Sequence, residues 1–252
     1  MLGIRVATSK RGRDEGEKPF WISFSDLMTA LMVLFLVALS VALLAVTKTV
    51  SEADREEKLR AEQIHVLMAE VERVANQFEG VRVIGTTIDF GPRGRFEREG
   101  QNTLSSPQRE LLRQFTPRLI EQLRTSEAGK IWFKRAVVEG YASQSGKYLF
   151  NLNLSLERSE RVLCELLRDP GNGEPALSQA DRQLVATHFF VGGASFNSLR
   201  PTAEDSRRIE FKLEFKSRQE RKDEAAHPAA ETDATLLDQS LDVKERCPII
   251  DR

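Results

Sequence analysis

Asp26 carries the chemistry that this sequence offers most plainly. It immediately precedes twenty positions without a charge, Leu27 to Val46. At about 1.5 Å per residue, a helix of that length crosses a bilayer core of about 30 Å. A carboxylate in a membrane span is costly, and ion transfer is the role that such a residue points to first. Low dielectric disfavours the anion against the neutral acid, which suits a group that takes up and releases a proton. Phe20 and Trp21 precede it, placed as interfacial aromatic anchors, so Asp26 falls about one and a half turns inside the membrane. Ile22, Ser23, Thr29 and Ala30 share its helical face, and these small or mildly polar residues suit close helix packing. Two plainer readings compete. In one, Ser23, Ser25 or Asp26 is an N-cap, with the carboxylate on the positive end of the helix dipole. In the other, the run is a signal peptide. The run is longer than an h-region of about 7–15 residues, and no small-residue cleavage site follows before Glu52, so an uncleaved single-span anchor is expected.

Other chemistry is sparse. The 252 residues carry a formal net charge of −1, so nothing argues for direct nucleic-acid binding. Hydrophobic content of 40% and charged content of 30% are ordinary for a globular chain, so the apolar run is a local feature rather than one of many spans. Cys164 and Cys247 are too few for a disulfide framework and lack metal-site spacing. His65, His188 and His227 lie far apart. There is no Walker A string, no Gly-rich fingerprint after a strand, and no recognisable Ser/His/Asp or Cys/His motif. The chain is therefore expected to be no enzyme and to hold no metal or cofactor.

The elements that must position Asp26 and its surroundings can be read in order. Residues 1–19 form a charged tail, and 20–47 the transmembrane helix. Residues 48–79 continue as a helix without Pro or Gly, the helical linker. Ile64, Leu67, Val71, Val74 and Phe78 recur there at spacings of three and four, an a/d seam. Periodicity alone fits a helix packed on its own domain equally well. The membrane helix upstream favours a parallel homodimer with this seam facing the second copy. Beyond Gly80, Val81–Phe90 reads as a strand, Pro107–Glu127 as a helix and Ile131–Glu139 as a strand. Asn153–Arg168 reads as an amphipathic helix, Ser178–Ala186 as a capped helix and His188–Gly193 as a strand. Arg207–Phe215 alternates through Ile209, Phe211, Leu213 and Phe215 as a half-buried strand. This order predicts an α+β domain over 80–216, a small sheet with helices on one face. Residues 217–252 form a charged, Ala-rich C-terminal tail, in which Leu236-Leu237 and Pro248-Ile249-Ile250 are the apolar points that could dock back.

Trp21-Ile22-Ser23-Phe24-Ser25-Asp26-Leu27-Met28-Thr29-Ala30-Leu31-Met32 resembles the transmembrane segment of MotB-type stator subunits. In that family the Asp carries the translocated proton. Two stretches of the domain resemble the OmpA-like peptidoglycan-binding module: Gly140-Tyr141-Ala142-Ser143, and, eleven residues after Gly140, Asn151-x-x-Leu154-Ser155-x-x-Arg158. Arg207-Arg208-Ile209-Glu210 matches a third family motif near the end of the module. The resemblance implies a peptidoglycan site of Tyr141, Ser143, Phe150, Asn151, Leu154 and Arg158. Arg158 takes the place of the family Arg, whose fork donates two parallel hydrogen bonds to a stem-peptide carboxylate. Ser143 stands where the family has an Asp, so the ligand amine lacks its charged partner unless Glu139 or another acid supplies one.

These resemblances imply a MotA-like multi-span partner, arranged as a ring of five around a dimer of this chain. They also imply an inner-membrane location with the N-terminus cytoplasmic and the domain periplasmic. The short linker, the Trp-led span and the Gly-Tyr-Ala-Ser stretch are similar to stator-like subunits of Zorya-type anti-phage defence systems. A flagellar stator subunit and a wall anchor without a motor are the alternatives. In an oxidising periplasm a Cys164–Cys247 disulfide is expected, against the plainer reading of Cys164 as a small apolar residue buried mid-helix.

Overall fold

The computed structural model describes residues 17–171, 174–227 and 241–252. The expected tail at 1–19 falls largely outside the described residues, as does Leu236-Leu237. The chain divides into two compact units, Met1–Lys58 and Leu59–Arg252.

Helix α1 (Glu17–Ala75) carries the apolar segment. Among the described residues it is the one helix long and apolar enough to cross a membrane. Residues 21–50 are exposed throughout, Asp26 included. The hydroxyls of Thr29, Ser40 and Thr47 donate to the carbonyls of Ser25, Leu36 and Leu43, four residues back. These three hydroxyls are thereby satisfied within their own helix, as hydrocarbon surroundings require.

The second unit is built on a five-stranded sheet in the order β1-β2-β5-β3-β4, from β1 (Arg82–Ile84), β2 (Thr87–Asp89), β3 (Phe133–Gly140), β4 (Phe189–Gly193) and β5 (Ile209–Phe215). β3 and β4 are parallel, and the other pairs are antiparallel. The continuous strand expected over Val81–Phe90 is instead the β1–β2 hairpin, turned at Gly85, whose φ of 62° lies in the left-handed region that glycine adopts without strain. On β5, Ile209, Phe211 and Leu213 are buried, whereas Lys212 is exposed. The opposite face pairs Arg135 with Glu214 at 2.7 Å and links Arg200 to both Asp89 and Glu210. One face packs and the other is charged, the alternation that a half-covered antiparallel sheet needs.

Helices cover the packed face: α2 (Ser106–Thr125), α3 (Glu127–Trp132), α4 (Tyr148–Leu167) and α5 (Gln179–His188). The single helix expected over Pro107–Glu127 breaks at Ser126, where the backbone turns extended, and α3 follows. α4 starts five residues earlier than periodicity placed it. Two short helices complete the unit, α6 (Ala203–Ser206) and α7 (Arg218–Ala226).

The seam expected to face a second copy is corrected by the structure. Leu67 and Val71 have no exposed surface, and Phe78 meets Phe115 of α2 edge-on at 5.4 Å. Gln63 accepts from the Trp132 indole at 2.7 Å, and Gln122 donates to Glu70 at 2.8 Å. The last turns of α1 are thus a helix of the domain itself. The i, i+3/i+4 pattern marks a buried face but does not say which surface covers it.

The end of the chain also belongs to the domain. Cys164 of α4 is bonded to Cys247, with Cα atoms 5.7 Å apart. Beyond it, Asn102, fully buried, donates to the Ile250 carbonyl at 2.8 Å and accepts from the Arg252 N–H at 3.0 Å. Glu157 pairs with the Arg252 guanidinium at 3.1 Å, and Arg161 with Asp251 at 2.5 Å.

Candidate functional site

Asn151, Leu154, Ser155 and Arg158 lie at i, i+3, i+4 and i+7 on α4, one stripe of the helix, and all four are buried. The stripe lies hard against the ends of β3 and β4. A Cβ added to Gly140 would meet the Ser155 carbonyl oxygen at 1.9 Å, so only glycine permits that approach. The Ser155 hydroxyl accepts from the Ser195 N–H at 3.0 Å, which ties the loop after β4 to the same turn.

Among the described residues Arg158 is the largest side chain without exposed surface. Its Nε donates to the Gln101 carbonyl at 2.8 Å and its Nη1 to the Tyr141 carbonyl at 2.6 Å. The guanidinium lies 4.4 Å from the centre of the Phe96 ring. Its Nη2 is buried without a partner among the described residues. Burial, and then the nearby Arg207 cation, push its pKa down to about 9, which leaves it cationic at neutral pH. Arg158 is thus a buried cation that lines a cavity and keeps one donor without a partner among the described residues.

That cavity has a volume of ≈ 270 Å³. Ser143, Phe150, Asn151, Leu154 and Arg158 line it, together with Glu99, Gly100, Ser145, Gly146 and Arg207. Asn151 donates to the Ser145 carbonyl at 2.7 Å and fixes the loop leading into α4. Arg207 donates to the carbonyls of Phe96 and Glu97 at 3.0 and 2.8 Å, which fixes the opposite wall. Tyr141 is the exception among the expected site residues. Its hydroxyl donates to Glu139 on the charged face of the sheet, and its ring lies 4.0 Å from the Arg208 guanidinium. It serves the cavity through its carbonyl on Arg158, not through its side chain. Glu139 likewise faces Lys212 at 4.0 Å and is no part of the cavity lining. Sequence reasoning missed Glu99 and Arg207 as lining residues. Arg207 stood within a motif already noted, which was the available signal; Glu99 had none. Among the described residues no cluster of His, Cys, Asp and Glu fit to hold a metal ion is present.

A family model described as membrane MotB of the proton-channel complex MotA/MotB matches residues 7–53. Two solved structures are similar to the second unit. The periplasmic domain of Helicobacter pylori MotB is 11% identical, covering 58% of this chain and 87% of that one, with a TM-score of 0.39. The OmpA-like domain of FopA1 from Francisella tularensis subsp. tularensis SCHU S4 is 17% identical, covering 54% and 82%, with a TM-score of 0.34. Fold and sequence together define a chain whose residues 7–53 are similar to the membrane segment of MotB and which joins a helix long and apolar enough to cross a membrane to an α+β domain. At higher identity stands the Zorya protein ZorB of Escherichia coli O139:H28 (strain E24377A / ETEC), 38% identical over 228 residues, 89% of this chain and 92% of the relative. The chain belongs to the ZorB family.

Proposed function

We propose that this chain is the peptidoglycan-anchored subunit of a proton-driven rotary motor in the bacterial inner membrane, acting in anti-phage defence, with Asp26 carrying the proton. One observation carries the reading. Asp26 is the sole ionisable residue between Lys18 and Lys48, in a chain of the ZorB family. No cation on its own helix pairs with it there, and one helix cannot enclose an ion path. The carboxylate therefore works against a multi-span MotA-like partner, with a dimer of this chain inside a ring of five partner chains. Each proton crossing releases about 2.3 kcal/mol per 100 mV of membrane potential. The neutral acid can face the partner's apolar surface where the anion cannot, which gives two states separated by one protonation. The N-terminus is cytoplasmic, the domain periplasmic, and the cavity at Arg158 holds the wall.

Asp26→Asn tests this, because it keeps the shape and removes the titratable group. Expression and membrane assembly should remain while protection in a phage-plating assay is lost. Full protection by the variant would refute the proton-carrying role. Asp26→Glu, which restores a carboxylate, should recover part of the activity.

A further inference from the structure

Two carbonyls of different standing aim the Arg158 side chain. The Tyr141 carbonyl, which accepts from Nη1 at 2.6 Å, directly follows β3, and the Tyr141 N–H donates to the Arg208 carbonyl at 2.9 Å beside β5. The sheet fixes that anchor. The Gln101 carbonyl, which accepts from Nε at 2.8 Å, lies in the irregular stretch 97–105, which no helix or strand carries. The Gln101 side chain accepts from the Arg98 N–H at 3.1 Å and donates to the Thr103 carbonyl at 3.0 Å. Those bonds shape the loop locally but do not seat its middle on the domain.

The seat is the next residue, Asn102, which has no exposed surface. Its Nδ2 donates to the Ile250 carbonyl at 2.8 Å and to Glu157 at 2.9 Å, and its Oδ1 accepts from the Arg252 N–H at 3.0 Å. The Asn102 N–H also donates to the Arg252 main-chain oxygen, at 3.4 Å. That N–H and the Gln101 carbonyl on Arg158 belong to one peptide group, which is planar, so turning one turns the other. Arg252 pairs as well with Glu157, the residue before Arg158 on α4, at 3.1 Å. Its guanidinium lies 5.7 Å from the centre of the Phe150 ring, part of the cavity lining.

We propose that Asn102 and residues 250–252 form a positioning clamp: the main chain of 250–252 seats the Gln101–Asn102 peptide, and that peptide holds the Arg158 guanidinium in the orientation that the cavity uses. The consequence for binding rests on the wall-binding reading above. Asn102 is a positioning residue, acting on Arg158 through the Gln101 carbonyl. The Cys164–Cys247 bond ties the chain to α4 three residues before Ile250, which keeps the clamp close to the loop. Without the clamp the loop carbonyl swings, and a ligand must order the arginine itself at a cost in affinity.

The test removes residues 250–252 from the chain and keeps Cys247, so that the bridge stays; thiol alkylation confirms it. A second variant carries Ile250→Ala, Asp251→Ala and Arg252→Ala together, which restores the main-chain bonds to Asn102. Side-chain NMR in detergent reads Arg158 directly: its Nε–H resonance is assigned by its loss in Arg158→Lys, and its exchange with water is timed. In the truncated protein that exchange should be about tenfold faster, the scale of one lost hydrogen bond. Binding to purified sacculi should be about tenfold weaker. The alanine variant should recover most of both. Unchanged Arg158 exchange in the truncated protein would overturn the clamp, and so would an alanine variant no better than the truncated one. Faster exchange with wild-type binding would overturn its part in holding the wall. Arg158→Gln separates the two levels: if it binds sacculi as wild type does, the wall-binding reading fails, and the exchange rates still decide whether the clamp sets Arg158.

Discussion

Breaking the Cys164–Cys247 bridge should unfasten the end of the chain and lower the stability of the domain by an amount set by its loop. The two residues are 83 positions apart. In the chain-entropy model, opening a loop of that size restores about 15 cal/mol/K to the unfolded state, about 4.5 kcal/mol at 25 °C. For a domain of this size, a loss of that order lowers the unfolding midpoint by roughly 9–18 °C. Two perturbations probe it, reductant on the wild type and Cys247→Ser. Trp132 reports the domain, since its indole is buried and bonded to Gln63. Thiol alkylation without reductant comes first and should label neither cysteine. Thermal unfolding with and without reductant then gives the shift, and limited proteolysis should cut after Val243 or Lys244 only in the reduced protein. An intact bridge by alkylation, together with identical midpoints and identical cleavage in both conditions, would refute the reasoning. The contacts of Asn102, Glu157 and Arg161 with residues 250–252 would then hold the tail without help.

Leu67→Ala should destabilise the domain by about 2–5 kcal/mol in denaturant unfolding, because it opens a void in a fully packed position. A cysteine at Leu67 should give no crosslink between copies, since that side chain faces its own core. Gly140→Ala should push α4 from the sheet, given 1.9 Å to the Ser155 oxygen, and should reduce both stability and sacculus binding. Arg158 gives a pH dependence of definite sign. Its folded pKa, about 9, lies well below the ordinary arginine value, so the unfolded chain binds this proton more tightly. From this group, the stability of the unliganded domain gains as pH rises through about 9 towards 12, whereas affinity for an anionic ligand falls over the same window. Sacculus pull-downs from pH 7 to 10 should be flat at first and decline at the upper end; a flat response in wild type and loss only in Arg158→Gln would put the titration elsewhere.

What the sequence discloses here depends on whether a signal is local. Ile209, Phe211, Leu213 and Phe215 alternate, and their strand lies where the alternation runs. The spacing of Asn151, Leu154, Ser155 and Arg158 puts them on one helical stripe whatever the helix packs against, and all four are buried together. The first turn of α4 was less legible because Tyr148, Leu149 and Phe150 are apolar yet exposed, which breaks the period that marks a helix face. The seam at Leu67 and Val71 shows the limit of the same signal: period gives a buried face, but the choice between a second copy and the chain's own α2 is made by contacts 37 and 52 residues apart in sequence.

The cavity shows that limit most sharply. Its floor comes from α4, which sequence spacing reveals, but its walls come from the loop at 96–102 and from Arg207, which only the folded sheet brings near. A glutamate in a charged stretch such as Glu97-Arg98-Glu99 has no mark by which to be singled out. Its place beside the cavity is set by neighbours in space, and one of them, Ser145, is 46 positions away. The departure at Ser143, read alone, implied a site short of one acid. The folded chain places one carboxylate, Glu99, in the cavity lining from another loop, a placement that spacing along the sequence does not reveal.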